Sequence, residues 1–394
     1  MTDPLGQSQV LPYLVGLREA GFAISLFSME KADVYALQGE AIHRLTTQAQ
    51  IVWFPLRYTK KPPILSTVWD LWQLFRAVKR LHRKQPIHIV HCRSYVTALL
   101  GMIFQRMNQT AFLFDMRGFW ADERVEGGIW NLKNPIFKAV YRFFKWQEKR
   151  MLQRADYIIS LTRQAQEALQ QRQLKPEALP IAVIPCCVDT QLFDPARYAT
   201  TNHSNSLTIS YLGSLGTWYL LDEMLLFFKR LLLQKPQSRF LFITPEPPAL
   251  IFNRAKQMEI DSALVQVVKA TRQEVPQYLA QSQLNLFFLK PSFSKTASSA
   301  TKMGEALAMG LPVIANGGVG DHAYLFDTFS CGHLLPDFSE ASMDAAIATI
   351  DGLLQIPPER IRQAALSYFD LQQGIARYAE VYRTLWAKIN PSFR

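Results

Sequence analysis

The 394 residues are 49% apolar and 19% charged, a composition that excludes collagen-like, coiled-coil and disordered chains. Such a length suits two globular domains, each able to bury its own core. The excess of 43 Lys and Arg over 32 Asp and Glu gives a net charge of +11. A basic balance favours a phosphate-rich partner: nucleic acid, an anionic membrane surface or a phosphorylated small molecule. Solubility alone explains the same charge.

The cysteines Cys92, Cys186, Cys187 and Cys331 have no metal-ligand spacing, and the adjacent pair can hardly join without strain. This usage is typical of a reduced, cytosolic chain with cysteines as small apolar fillers. The first dozen residues are polar and interrupted by proline, unlike a signal peptide, and no apolar run reaches the roughly 20 residues of a spanning helix. We expect a cytoplasmic protein in which any membrane contact is peripheral.

The first half of the chain alternates between helical and strand-like segments. Residues 1–6 are expected to form a loop, and a helix then runs to a cap at Gly21, before a strand over 22–28. Further strands are predicted at Ile51–Phe54, Ile87–His91, Ala111–Phe114, Tyr157–Leu161 and Ile181–Pro185. Helical patterns lie between them at 66–84, 94–107, 135–154 and 163–173. This alternation predicts a doubly wound parallel sheet.

A polar run from Asp194 to Ser206 is predicted to be a linker between two domains. The alternation resumes after it, with strands at 207–212, 239–244, 264–268, 284–289 and 312–316. The predicted division is a first domain at 1–193, a linker at 194–206, a second domain at 207–374 and a C-terminal helix at 375–394. The fold class is therefore α/β, with two Rossmann-like doubly wound domains that face a cleft, where ligands sit at the carboxyl ends of the strands.

The segment 290–321 carries the pattern that best suits a phosphate site. A loop of small residues precedes a helix that is predicted to begin near Thr301 and to carry Lys302 and Glu305 on one face. Free N–H groups and a lysine at a helix start suit a diphosphate, and a carboxylate one turn later suits a ribose diol. An ordinary amphipathic helix with one exposed ion pair explains the spacing equally well.

Two glycine-rich turns follow strands in the same half of the chain. One carries Gly213 and Gly216, and the other carries Gly317 and Gly318; such turns let a ligand approach the backbone. Each is a weak signal alone, because a tight turn capped by Asp321 needs the same residues. Three loops of this kind at strand ends of one domain together favour a nucleotide or sugar site.

The segments 3–10, 210–219 and 298–314 resemble the family-four glycosyltransferases, and the resemblance extends over nearly the whole chain. It implies the GT-B fold, with a nucleotide-sugar donor on the second domain and a glycan or lipid-linked acceptor mostly on the first. It also implies transfer with retention of anomeric configuration, without a metal ion or a cofactor, and a last helix that packs back on the first domain. Cell-surface polysaccharide or glycolipid synthesis is the expected setting.

The same resemblance assigns donor-side roles to individual residues. Glu305 takes the place of a family glutamate that binds the nucleotide ribose, whereas Ala297 stands where a second glutamate would contact a sugar hydroxyl. Lys302 would supply the positive charge that the loop after the first strand of the second domain lacks. The remaining donor-side candidates are Gly213, Ser214, Gly216, Ser298, Ser299 and Ala300.

On the acceptor side, many relatives place a histidine where this chain has Asp115-Met-Arg-Gly. Asp115 and Glu123 are candidate catalytic residues that would orient the acceptor, and Arg117 would stabilise the departing diphosphate. A local ion-pair network among these three residues is the structural alternative. Further acceptor-side or loop candidates are Gly6, Gln7, His91, Arg93, Gly317 and Gly318, of which His91 is equally well explained as a structural histidine.

Basic and aromatic residues share the helical segments 71–84 and 137–154. These helices could lie on anionic lipid, although a core-facing apolar stripe with a solvated basic face explains the pattern as well. No recognised motif accompanies the basic residues, so we expect no nucleic-acid partner.

The family pattern places a short apolar strand directly before Asp3, so we expect the first domain to lack its central first strand. Either the true start lies upstream or the protein is a truncated copy. A catalytically degenerate binding protein therefore stays an alternative to the transferase. A sugar-nucleotide hydrolase or epimerase on the same fold is another.

Overall fold

The computed structural model describes residues 1–62, 64–108, 110–198 and 206–390. Its strands pair in parallel throughout the three sheets. The strands are β1 (Ser25–Glu30), β2 (Val52–Arg57), β3 (Ile89–Arg93), β4 (Ala111–Asp115), β5 (Tyr157–Ser160), β6 (Ile181–Val183), β7 (Thr208–Leu212), β8 (Arg239–Ile243), β9 (Val265–Val268), β10 (Leu284–Phe287), β11 (Val313–Asn316) and β12 (Gly332–Leu335).

Helices connect these strands, as parallel pairing requires. In the first half they are α1 (Pro4–Gln9), α2 (Leu11–Glu19), α3 (Ala32–Gln48), α4 (Leu65–Lys84), α5 (Tyr95–Asn108), α6 (Trp120–Glu126), α7 (Pro135–Arg154) and α8 (Arg163–Gln170). In the second half they are α9 (Leu221–Gln234), α10 (Pro248–Gln257), α11 (Val275–Leu279), α12 (Thr301–Ala308), α13 (His322–Phe329), α14 (Glu340–Leu354), α15 (Pro358–Ala364) and α16 (Leu371–Ile389).

The second half is built on one six-stranded sheet in the order β12-β11-β10-β7-β8-β9. Every residue of β7, β10 and β11 is buried, and these strands are runs of apolar residues because helices cover both faces of the sheet. The loops that follow these three strands therefore emerge from the covered centre of the sheet.

The first half has its strands in two separate sheets, β1-β2 and β3-β4-β5-β6. By position, β1 and β3 correspond to β8 and β10, which flank β7 in the second half. Among the described residues no strand pairs with β1 and β3 on their facing sides, and β3 is only partly covered, whereas β10 is fully buried. The absent first strand stays a prediction.

The sequence missed several elements, each for a local reason. The loop expected at residues 1–6 is wrong from Pro4 onward, because proline at the first turn of α1 loses no helical hydrogen bond. Helix α3 was not predicted; only Gly39, Ile42 and Thr46 are buried in it, too few for a clear apolar period. Strand β12 escaped notice because its four residues, Gly-His-Leu-Leu, show no alternation.

The predicted linker begins with a short 3₁₀ turn at Pro195–Arg197, and its residues 199–205 lie outside the described residues. The predicted C-terminal helix begins earlier than expected, at Leu371, and residues 391–394 of it are also outside the described residues. Helix α16 lies against the first half, where Tyr378 meets Tyr13 edge-on with ring centroids 5.4 Å apart.

Candidate functional site

Loops at the carboxyl ends of strands from both halves meet and hydrogen-bond to one another. The Thr162 hydroxyl, after β5, donates to the Thr296 carbonyl at 2.7 Å. The backbone N–H of Cys186, after β6, donates to Ser299 Oγ at 3.0 Å. Because parallel sheets bind ligands at this edge, the junction of the two halves is the candidate site.

Lys302 lies at the centre of the donor side. It stands in the first turn of α12, yet its side chain is buried, and its ammonium donates to the Tyr211 hydroxyl at 2.8 Å. The same ammonium lies 3.4 Å from the ring centroid of Tyr219 and 4.1 Å from that of Tyr211. No carboxylate among the described residues lies within ion-pair distance of it.

In this environment, the charged form of Lys302 has no negatively charged partner among the described residues. Burial lowers the pKa of Lys302 well below its usual range, and the neighbouring Glu305 offsets this only in part. Aromatic faces stabilise a buried ammonium less than a charged partner does. An anionic ligand at this point would therefore complete the site.

Gly213 provides the opening beside that ammonium. Its backbone is left-handed, with φ of +102°, and a Cβ there would lie 3.2 Å from Lys302 Nζ. Any side chain would strain the turn and crowd the lysine. The backbone N–H groups of Ser299, Ala300 and Thr301 have no acceptor among the described residues, so they supply further donors next to Lys302.

Glu305, one turn further along α12, is held by a residue that the sequence did not single out. Arg272, in the loop after β9, donates to Glu305 Oε1 at 2.8 Å while its guanidinium lies over the ring of Phe193 at 5.4 Å. Burial raises the pKa of Glu305, and Arg272 acts against that rise. Arg272 thus fixes the position of this carboxylate and limits the rise of its pKa.

Replacing Glu305 by Ala should weaken donor binding at least tenfold with little loss of fold. A hydrogen bond to a charged group contributes roughly 1.5–3 kcal/mol, which corresponds to that factor or more. Titration calorimetry with a nucleotide sugar measures it, and Glu274→Ala, in the same loop as Arg272, is the control. Unchanged affinity in Glu305→Ala would remove this residue from the site.

On the first half, Asp115 is fully buried at the end of β4. Its Oδ2 lies 3.4 Å from His91 Nε2 and 3.6 Å from a guanidinium nitrogen of Arg93, and it accepts from the Tyr378 hydroxyl at 3.2 Å. Arg117 approaches Oδ1 at 4.0 Å. Of the ion-pair network that the sequence left as an alternative, the Asp115–Arg117 part is therefore present, with His91 and Arg93 as further members and without Glu123.

The network fixes the charge of Asp115. Burial alone would raise its pKa, but Arg117, His91 and Arg93 together lower the pKa of Asp115 to about 2. A buried, permanently ionised carboxylate that binds two arginines acts as an internal counter-ion. This arrangement supports a positioning role rather than direct contact with an acceptor.

Arg117 lies between this network and the donor loop. Its Nη2 donates to Cys186 Sγ at 3.2 Å, and the backbone of the same cysteine binds Ser299. The left-handed backbone of Arg117, with φ of +58°, turns the side chain toward that junction. Arg117 thus connects to Ser299, in the loop before α12, through Cys186.

Glu123 makes a different contact from the one expected. Lys295, from the short 3₁₀ helix Phe293–Ala297, donates to Glu123 Oε1 at 2.7 Å, and its ammonium lies 3.8 Å from the Trp218 ring centroid. Phe119 stacks on Phe293 nearby, with centroids 4.5 Å apart. Glu123 therefore ties the two halves together.

The second glycine-rich turn packs on the protein itself. Gly320 donates its N–H to the Lys295 carbonyl at 2.9 Å, and a Cβ on Gly320 would fall 2.1 Å from the Ser298 carbonyl oxygen. The sequence suggested that Asp321 caps this turn, but its side chain makes no capping hydrogen bond to its own helix. Its carboxylate instead accepts from the N–H groups of Arg163 and Gln164 at the start of α8. The turn therefore links the two halves.

The remaining predicted residues fall into two places. Ser214 and Gly216 are exposed in the loop after β7, where the Ser214 carbonyl accepts from Tyr211. Gly6 is buried in α1 against the backbone of Met1, and the Gln7 amide donates to the Thr2 carbonyl. The sequence analysis did not single out five residues of this site. For some of them, a position near the end of a strand is the only signal in the sequence that could have indicated a role. The five residues are Tyr211, Tyr219, Arg272, Lys295 and Tyr378.

Comparison with known proteins agrees with this geometry. Residues 7–187 match the family model described as a glycosyl transferase 4-like domain. The chain carries a glycosyl transferase 4-like domain. No curated protein sequence matches the chain.

Solved structures extend the likeness to both halves. Sucrose-phosphate synthase from Thermosynechococcus elongatus superposes with a TM-score of 0.71 at 17% identity, over 95% of this chain and 92% of that chain. A glycosyltransferase from Rickettsia africae gives 0.69 at 16% identity, over 97% and 96%. HepE from Anabaena, solved with UDP-glucose, gives 0.66 at 14% identity, over 97% and 98%. The predicted GT-B fold is confirmed, and the family model agrees with the predicted glycosyltransferase family over residues 7–187.

No helix in the part of the chain that the structure describes is long and apolar enough to cross a membrane. Within the same residues, no three His, Cys, Asp or Glu side chains gather as metal ligands would.

Proposed function

We propose that the protein is a glycosyltransferase that moves a sugar from a nucleotide-sugar donor to a glycan or lipid-linked acceptor. The observation that carries this proposal is the buried ammonium of Lys302, which has aromatic rings around it and no carboxylate partner among the described residues. Lys302 belongs to a helix whose first backbone N–H groups have no acceptor there. A diphosphate is the ligand whose charge and oxygen atoms match that set of donors.

The neighbouring residues divide the remaining work. Glu305, aimed by Arg272, receives the ribose hydroxyls, and Arg117 stands at the donor loop to stabilise the diphosphate as it leaves. Preorganised positive charge of this kind lowers the barrier because it needs no rearrangement while negative charge develops.

The finer features of the reaction follow from the family resemblance and are part of the proposal. We propose transfer with retention of configuration and without a metal ion or cofactor, in the synthesis of a cell-surface polysaccharide or glycolipid. A cytoplasmic location is supported by the four free, buried cysteines.

The direct test is a panel of UDP-, GDP- and ADP-sugars, measured by thermal shift and calorimetry and then by turnover with candidate acceptors. UDP-glucose, bound by HepE, is the first donor to test. Proton NMR of the first-formed product reports the anomeric configuration, and chelator treatment tests the metal-free reaction. Failure of every donor to bind would overturn the proposal.

A nucleotide-binding protein without transferase activity is the second candidate. Ala297 is buried and stands where the family offers a carboxylate to the sugar, while Asp115 is withdrawn into an ion-pair network. Donor binding without turnover, on any acceptor of the panel, would select this alternative. Release of free sugar from the donor would instead select a hydrolase.

Donor affinity should fall as the pH rises through the lowered pKa of Lys302. Burial favours the neutral amine in the free protein, whereas a bound diphosphate restores the charged form, so binding takes up a proton above that pKa. Affinity then declines by up to tenfold per pH unit. Calorimetry in two buffers of different ionisation enthalpy measures the uptake, which should vanish in Lys302→Met; equal uptake in the variant would contradict this.

A further inference from the structure

Three helices of the first half, α4, α5 and α7, form a continuous outer layer. Helix α4 packs against α5, and α5 packs against α7. Phe75 of α4 meets Phe104 of α5 with ring centroids 5.4 Å apart. Every residue of these three helices is among those that the structure describes.

The layer carries acidic residues only on its inner side. Asp70 is buried and accepts the Thr59 N–H at 3.0 Å, and Glu148 is buried and bound by Lys145 and Arg172. No other Asp or Glu occurs in these three fully described helices. The charged side chains on the outer side are therefore all positive, and they include Arg76, Arg80, Arg83, Arg106, Lys138 and Arg142.

Large apolar side chains project between these positive charges. Trp69 is 51% exposed and Trp72 is 45% exposed, and their rings stack with centroids 4.8 Å apart. The guanidinium of Arg76 covers the Trp72 ring at 4.6 Å. Exposed apolar residues occur on each of the three helices: Leu65, Val68, Ile103, Met107, Phe143 and Trp146.

These exposed apolar residues are not those of the core-facing apolar stripe that the sequence predicted in the segment 71–84. In that stripe, Leu74 is buried and Phe75 is half-buried against α5, so it belongs to the core. The tryptophans and the residues one turn before them occupy the first half of α4, on a face that no other described element covers.

We propose that the outer face of α4, α5 and α7 docks on an anionic bilayer surface. Charge complementarity selects the partner, because every outward charge of the layer is positive. The exposed tryptophans select lipid over nucleic acid, since amphipathic rings lie at the level of the headgroups while basic residues bind the anionic phosphates. The face lies outside the donor site, so the inference does not depend on the proposed function.

The test is co-sedimentation of the full chain with sucrose-loaded vesicles of phosphatidylcholine, with and without 30% phosphatidylglycerol. Binding should require the anionic lipid and should fall sharply between 0.1 M and 1 M salt, because the Debye length shortens from about 10 Å to about 3 Å. Trp69→Ser with Trp72→Ser should weaken binding at least tenfold, as should Lys138→Glu with Arg142→Glu. Tryptophan fluorescence should also shift to the blue on binding.

Matched variants outside the layer separate this face from general charge and hydrophobicity. Leu37→Ser on α3, where Leu37 is 84% exposed, and Lys256→Glu on α10 should leave vesicle binding unchanged. Equal binding to neutral vesicles, or full binding by the double-serine variant, would overturn the proposal. Single-stranded RNA serves as competitor: RNA that binds the double-serine variant as well as the parent, while vesicles bind neither, would assign the face to nucleic acid.

Discussion

Lys302→Met should weaken donor binding by roughly ten- to a hundredfold and at the same time leave the protein as stable as before, or more stable. The affinity loss follows from removing charge-assisted hydrogen bonds to a diphosphate, which contribute roughly 1.5–3 kcal/mol. Stability is maintained because methionine fills a similar volume without burying an amine whose charged form has no charged partner. Calorimetry with the donor and thermal unfolding of the free protein measure the two effects.

Lys295→Met is the matched comparison. Lys295 is also buried and also lies over an aromatic ring, but its ammonium is paired with Glu123 at 2.7 Å. This variant should lose stability, since Glu123 is left without its cation. A Lys302→Met protein that binds the donor normally, or that unfolds as readily as Lys295→Met, would show that Lys302 is structural.

Asp115→Ala should destabilise the first half by about 3–5 kcal/mol, the usual cost of removing one partner from a buried ion pair. Arg93 and Arg117 would then face each other without a counter-ion, and the Tyr378 hydroxyl would lose its acceptor. Because Tyr378 belongs to α16, the loss of this hydrogen bond should also destabilise the C-terminal helix. Urea unfolding, followed by tryptophan fluorescence, measures the change.

Asp222→Ala provides a control with an exposed Asp–Arg pair, because Asp222 accepts from Arg254 on the surface of the second half. Its unfolding midpoint should not move measurably. Asp115→Asn separates the two roles of the residue, since it keeps the shape and removes the charge. An Asp115→Asn protein that folds with full stability but has lost transfer alone would return Asp115 to the acceptor site.

The sequence grouped the candidate donor-side residues more readily than the contacts of the acceptor-side candidates, and the reason is chain distance. Lys302 and Glu305 belong to one helix, so their spacing alone places both at the same strand end. Arg272 reaches Glu305 from a different loop, and Tyr378 reaches Asp115 from the last helix, and no local pattern encodes either meeting. The fold class was predictable because parallel strands buried on both faces leave long apolar runs, which short or exposed elements such as α3 and β12 lack.

The two halves should differ in their resistance to local unfolding, because the sheet of the first half is divided. In an interior parallel strand such as β10, alternate backbone N–H groups point to the two neighbouring strands. Hydrogen bonds on both sides therefore protect them from exchange. Among the described residues, strand β3 is paired with β4 alone, so its other amides face a side on which no described strand pairs with it. Those amides will exchange with solvent at a low opening free energy. The half that carries Lys302 should therefore resist local opening more than the first half does, a difference that hydrogen exchange of β3 and β10 would measure.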